Sequence, residues 1–165
     1  MVTTIEEIKL SSKEGTEYKI SRKAAELSVL IRNTLQDISG DEVIPLMEVD
    51  DKTLSKVLEY LNKWNGETPT DIEKPLKSPN MKEVTDEWSA NFIESVELDL
   101  LVDLTVAANF MEIQALLDLT CAKLASMCKD KSEEEIFKTF GVTETFTEDE
   151  KAKIREENKW IEENI

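Results

Sequence analysis

Between Leu98 and Cys128 the chain's apolar residues return at helical spacing twice over. Leu100, Leu101, Leu104, Ala107, Ala108 and Met111 form one stripe, and Ile113, Leu116, Leu117, Thr120, Cys121, Leu124 and Met127 form another. Intervals of three and four residues gather each set on one helical face, so the stretch predicts two successive amphipathic helices, the main core candidate. Asp99 and Asp103 stand one turn apart on the solvated side of the first helix. Asn109 and Phe110 mark the join. An aromatic beside a polar turn residue has the character of a docking knob.

Upstream, the period changes to two. Ile8 and Leu10 alternate with polar neighbours, Ser11 to Gly15 carries turn chemistry, and Tyr18 and Ile20 alternate again, which predicts a β-hairpin. Ser21 can cap a short helical region holding Ala25, Ser28, Val29, Ile31, Arg32 and Leu35, ended by Gly40. A third strand, Val43 to Leu46, contains Pro45 and is expected at a sheet edge, where a missing donor is tolerated. Asp50 caps a helix with Leu54, Val57, Leu58 and Leu61 on one face, prolonged by Trp64 and closed by Gly66.

From Asn65 to Asp86 the pattern lapses, and Pro69, Pro75 and Pro79 fall there among charged and polar residues. This reads as a flexible internal loop that interrupts a domain without dividing it. Trp88 and Phe92 lead back into the central helices. Beyond them, Ser132 with Glu135 precedes Ile136, Phe137 and Phe140, and Thr147 with Glu150 precedes Ile154 and Ile161. Both pairs are capping boxes, so the tail predicts two short helices separated by Gly141. Trp160 lies about 120° off the Ile154 face and is flanked by Glu156, Glu157, Lys159 and Glu163. It either folds back onto the domain or anchors a partner protein.

Composition narrows the partners. A chain of 165 residues is long enough for one domain with a small appendage and needs no metal or disulfide staple. Its formal charge of -16 repels phosphate backbones and anionic lipid head groups, with no basic cluster to offset it, so neither nucleic acid nor membrane is expected. The N-terminus lacks signal-peptide character, and no run of about 18 apolar residues is present to span a bilayer. The two cysteines, Cys121 and Cys128, share one face of the second central helix and are expected as small buried thiols in a reducing compartment, cytoplasm or nucleus.

Catalytic chemistry finds little support. With no histidine, the commonest general base and the Ser-His and Cys-His nucleophile pairs are missing. The four glycines sit at element boundaries and form no phosphate-cradling loop. The acidic runs at Glu133–Glu135, Glu148–Glu150 and Glu162–Glu163 lack calcium-loop spacing and suit helix starts, where carboxylates complement the dipole. No cofactor, no metal and no enzymatic activity are expected; a carboxylate metal enzyme is the remote alternative.

Five blocks carry a resemblance: IKLSSKEGTEYKI, KVLEYLNKW, AANFMEIQALLDLTCAKLASM, KDKSEEEIFKTFGV and TFTEDEKAKIREENKWIEE. Together they resemble the S-phase kinase-associated protein family, the adaptor subunits of SCF ubiquitin ligases. The last two blocks are the specific ones, because BTB/POZ relatives such as elongin C share the central helix without this tail. The resemblance implies an α+β, mostly helical BTB/POZ fold with a small three-stranded sheet and a C-terminal two-helix extension. It places the BTB/POZ domain at 1–128, with the 65–86 loop inside it, and the extension for F-box binding at 129–165.

By the same resemblance the chain bridges a cullin scaffold to F-box proteins in a cullin-RING ubiquitin ligase. Asn109 and Phe110 fall on the family's cullin-binding pair. Leu117, Cys121, Leu124, Cys128, Ile136, Phe140 and Trp160 fall on positions lining the F-box groove, and for the helical stripe among them plain intradomain core is the competing reading. The family's Pro after the second tail cap is Glu148 here, so its hydroxylation and glycosylation are expected to be absent. The alternative partner assignments are an elongin-like module and a homodimer that covers the apolar tail with a second copy.

Overall fold

The computed structural model describes residues 7–37, 42–142 and 146–159. Chain contacts divide it into two units, Met1–Asp130 and Lys131–Ile165. In the first unit, strands β1 (Glu7–Ser11) and β2 (Glu17–Ser21) pair antiparallel, and β3 (Val43–Pro45) adds parallel to the far side of β1. Ile8, Leu10, Ile20 and Ile44 are buried, so the period-two pattern puts one sheet face on the core. Pro45 ends an edge strand, as its missing N–H requires.

The region between Ser21 and Asp37 is two helices instead of one. α1 (Arg22–Ala25) is capped by the Ser21 hydroxyl, and α2 (Val29–Asp37) begins afresh after Ser28. The cause is Ser28 itself. Its hydroxyl accepts from the Ile31 N–H at 3.2 Å and donates to the Met111 carbonyl at 2.5 Å, while the Val29 N–H donates to the Glu112 carbonyl at 3.3 Å. The start of α2 is thereby tied to a turn more than eighty residues away, and Ser28 is fully buried. Ser28→Ala removes the cap and leaves a buried carbonyl without its donor, an expected loss of about 1 to 3 kcal/mol in urea unfolding. A loss below about 0.5 kcal/mol, the range of neutral surface changes, would contradict this account. Gly40, expected to end the region, lies outside the described residues.

α3 (Asp51–Trp64) starts where Asp50 accepts from the Thr53 N–H at 2.8 Å and ends at Asn65, held in the left-handed region at φ 43°. Gly66 follows at φ 83°, and a Cβ there would meet the Lys23 side chain at 2.7 Å, so glycine is required twice over. After it, the 67–80 segment runs without helix or strand, yet Ile72 is buried and Met81, opening a single 3-10 turn (Met81–Glu83), is fully enclosed. Prolines and charges therefore alternate with core anchors. α4 (Glu87–Glu94), capped by Asp86, brings Trp88 and Phe92 against Tyr60 and Trp64 of α3, with Trp88 stacked on Phe92 at 5.0 Å between centroids.

The central stretch forms α5 (Leu98–Phe110) and α6 (Gln114–Cys128). α5 packs on α3 and α6, and Leu101, Leu104, Ala108, Met111, Ile113 and Leu116 make the innermost layer. Glu112 takes φ 52° between the helices, which lets the Ile113 N–H reach the Ala108 carbonyl at 2.9 Å and reverses the chain tightly.

In the second unit, α7 (Glu133–Thr139) and α8 (Glu148–Glu157) each open with the expected reciprocal capping box. None of the helical residues of α7 or α8 is buried. Ile136, Phe137 and Phe140 are half-buried, while Val142, Phe146 and Ile154 are exposed.

Candidate protein-docking surfaces

Both central helices carry apolar residues on the side turned away from the core. On α5, Val102, Val106 and Phe110 follow one another at four-residue intervals and are 45 %, 61 % and 37 % exposed, which makes them a continuous outward stripe. Asn109, also exposed, sits beside Phe110 on the last turn. Because Ala107 and Ala108 in that same turn are buried, the Asn-Phe pair is presented from a fixed base. The Ser28 clamp on Met111 holds the turn that follows. Met47, exposed on the turn after β3, lies next to Glu48, which with Val49, Asp50 and Thr53 shares a small cleft with Asp103, Val106 and Ala107.

α6 shows the same division. At 100° per residue the buried arc of Leu116, Leu119, Ala122 and Ser126 and the arc of Leu117, Cys121, Leu124 and Cys128 lie on opposite sides. Leu117 and Leu124 are half-buried at the margin of the core, Cys128 is half-buried, and Cys121 is exposed. The expectation that both cysteines are buried thiols is thus corrected. Apolar residues nearly encircle α6, so helical spacing fits either arc and cannot choose which one faces inward.

A cleft of about 250 Å³ opens beside Cys121, walled by Ile72, Glu73, Lys74 and Leu76 of the proline-bearing segment and by Asp118, Ala122 and Ala125 of α6. At its rim the Lys74 ammonium donates to Asp118 at 2.9 Å, and Gln114 donates to the same carboxyl oxygen at 3.1 Å. The hydrogen bond to Asp118 and then its charge raise the Lys74 pKa.

In the second unit the Ser132 N–H and hydroxyl both donate to Glu135, at 2.9 and 3.0 Å, and Thr147 repeats the pattern with Glu150 at 2.8 Å for each. These backbone and then side-chain donors hold both carboxyls below the usual range. Each helix start is fixed, while the apolar side chains that follow, Ile136 and Phe140 after the first and Ile154 after the second, keep accessible surface. Trp160 lies outside the described residues.

Of the predicted site residues, then, Asn109 and Phe110 stand together on the outer end of α5, and Leu117, Cys121, Leu124 and Cys128 on the outer arc of α6. Ile136 and Phe140 lie on and just after α7. Sequence reasoning passed over Val102, Val106 and Met47. The signal was there in the two valines, spaced four residues apart and four before Phe110, but hidden among the inward-facing leucines of the same helix. Among the described residues, no group of three or more His, Cys, Asp or Glu side chains converges as a metal would need, and no helix is long and apolar enough to cross a membrane.

Comparison with known proteins bears on these surfaces. Residues 6–66 match the model of the Skp1 family tetramerisation domain, and residues 114–161 match that of the Skp1 family dimerisation domain. The chain is 42 % identical over 156 residues to the S-phase kinase-associated protein 1 homolog of Tetrahymena thermophila, covering 94 % of each. It is 39 % identical over 162 residues to the E3 ubiquitin ligase complex SCF subunit sconC of Arthroderma benhamiae, covering 98 % of each. The sconC subunit of Aspergillus fumigatus is 37 % identical over 157 residues, 94 % of this chain and 98 % of its own. Two family-specific domains, together with relatives matched almost end to end, establish that this chain belongs to the Skp1 family.

Proposed function

We propose that the chain is the adaptor subunit of an SCF-type cullin-RING E3 ubiquitin ligase, joining a cullin scaffold to F-box substrate receptors. The names of its relatives as SCF subunits support this reading. The observation that carries it is the pair of outward apolar arcs on successive helices of one unit, Val102–Val106–Phe110 on α5 and Leu117–Cys121–Leu124–Cys128 on α6. Two faces on separate helices suit two partners held at once.

Asn109 and Phe110, with Val102 and Val106 on the same stripe, take the cullin. Phe110 supplies the large anchor, and the exposed Asn109 amide offers both donors and an acceptor. The outer arc of α6 takes the F-box by helix-in-groove packing, and Ile136, Phe140 and Trp160 of the tail are assigned to the same partner. The bridge is noncatalytic: it positions other subunits and changes no bond. It works in cytoplasm and nucleus, where its two free cysteines stay reduced.

The test is reconstitution from purified components. Mixed with a cullin N-terminal domain and an F-box protein, the chain is expected to give one ternary species by size exclusion with light scattering. Cullin and F-box protein displacing each other would mean a single shared face. A homodimer that binds neither would mean that the apolar surface serves a second copy.

A further inference from the structure

The proline-bearing segment after α3 does more than connect. Ile72 is buried, Leu76 is half-buried, and Lys74 between them is paired to Asp118 of α6 at 2.9 Å, so the segment is pinned along one side of that helix. Opposite stand Cys121, Ala122 and Ala125, three small side chains whose size leaves a recess in the surface. Its volume, about 250 Å³, compares with the ~150 Å³ apolar cavity that accepts a benzene-sized group. Most of this lining is apolar, with charge confined to the rim at Glu73, Lys74 and Asp118.

We infer that the segment from Ile72 to Leu76 is a second wall of the F-box receptor site, and that the recess is a socket for one large aliphatic or aromatic side chain of the receptor's docking helix. This rests on the reading of α6 given under the proposed function. The occupant follows from continuity, since Cys121 belongs both to the socket and to the outer arc running through Leu117, Leu124 and Cys128. A helix laid along that arc meets the opening at its near edge, at Cys121. Size then sets selectivity: a leucine or phenylalanine fills the recess against Ile72 and Leu76, whereas alanine or a charged residue leaves it unfilled or desolvates a charge. The Lys74–Asp118 pair keeps the wall in place and closes the rim without putting an unpaired charge into it.

Two measurements test this on the full chain. In fluorescence polarisation with a labelled recombinant F-box domain, Leu76→Ala is expected to weaken binding about 5- to 20-fold, as truncation of an interface anchor does. Lys74→Glu, which sets like charges against Asp118 and loosens the wall, should weaken it several-fold. The bound F-box domain should also protect Cys121 from alkylation in the parent chain, followed at that thiol by peptide mass spectrometry. If both variants bind within about twofold of the parent, too small a change for an anchor, while Leu124→Asp abolishes binding, the wall is not part of the site although α6 is. If Leu124→Asp binds like the parent, the reading of α6 and the socket fall together.

Discussion

A chain carrying Asn109→Lys and Phe110→Lys is expected to lose its cullin by at least about 100-fold, on the order of 3 kcal/mol, and to keep its F-box partner and its melting temperature. The separation follows from where the two side chains lie. Both are exposed on the last turn of α5, while the inward positions of that turn, Ala107 and Ala108, are buried and unaltered. Lysine is a good helix former, so α5 itself is not weakened. At an interface built on Val102, Val106 and Phe110, however, two ammonium groups would be desolvated with nothing to pair them. Calorimetric titration with a cullin N-terminal domain, beside thermal melts of the free chain, measures both halves. Loss of both partners with a lowered melting temperature would make the pair part of the fold and not of a docking face.

Why the exposure of this pair was legible in the sequence, and that of Val102 and Val106 was not, has a physical cause. Asn109 and Phe110 interrupt an apolar run with a polar residue and a ring, an anomaly that periodicity alone exposes. Val102 and Val106 do not interrupt anything: in LDLLVDLTVAANF a valine facing outward looks like one facing in, and only the packing of α3 and α6 against the opposite side settles which is which. The same ambiguity misassigned Cys121 to the core. Elements with a strong local cause were read correctly, among them the hairpin, the edge strand at Pro45, the Asp50 cap and both tail capping boxes. Those decided by distant partners were not. The break before α2 depends on the Met111 carbonyl, more than eighty residues from Ser28, and the proline-bearing segment is tied down by Ile72, Lys74 and Met81 against elements that lie far along the chain.

Cys121→Glu should do to the receptor what the double lysine change does to the scaffold. Cys121 is the most accessible of the four outer-arc residues of α6, with Leu117, Leu124 and Cys128 each half-buried, so it is the one where a charge can be added without touching the core. Expected losses are about 100-fold in F-box affinity, about 2.7 kcal/mol, with cullin binding and the melting temperature unchanged. Two effects combine: the new carboxylate must be desolvated beneath the docked helix, and it stands one turn from Asp118, in a chain already carrying -16. Cys121→Ser, nearly isosteric and uncharged, should stay within about tenfold of the parent, since it changes a weakly polar thiol to a hydroxyl that open solvent can still reach before docking. The pair of variants separates charge from shape. A glutamate tolerated as well as a serine would mean that no apolar partner covers α6 at this turn, and the receptor would have to be sought on the tail helices alone.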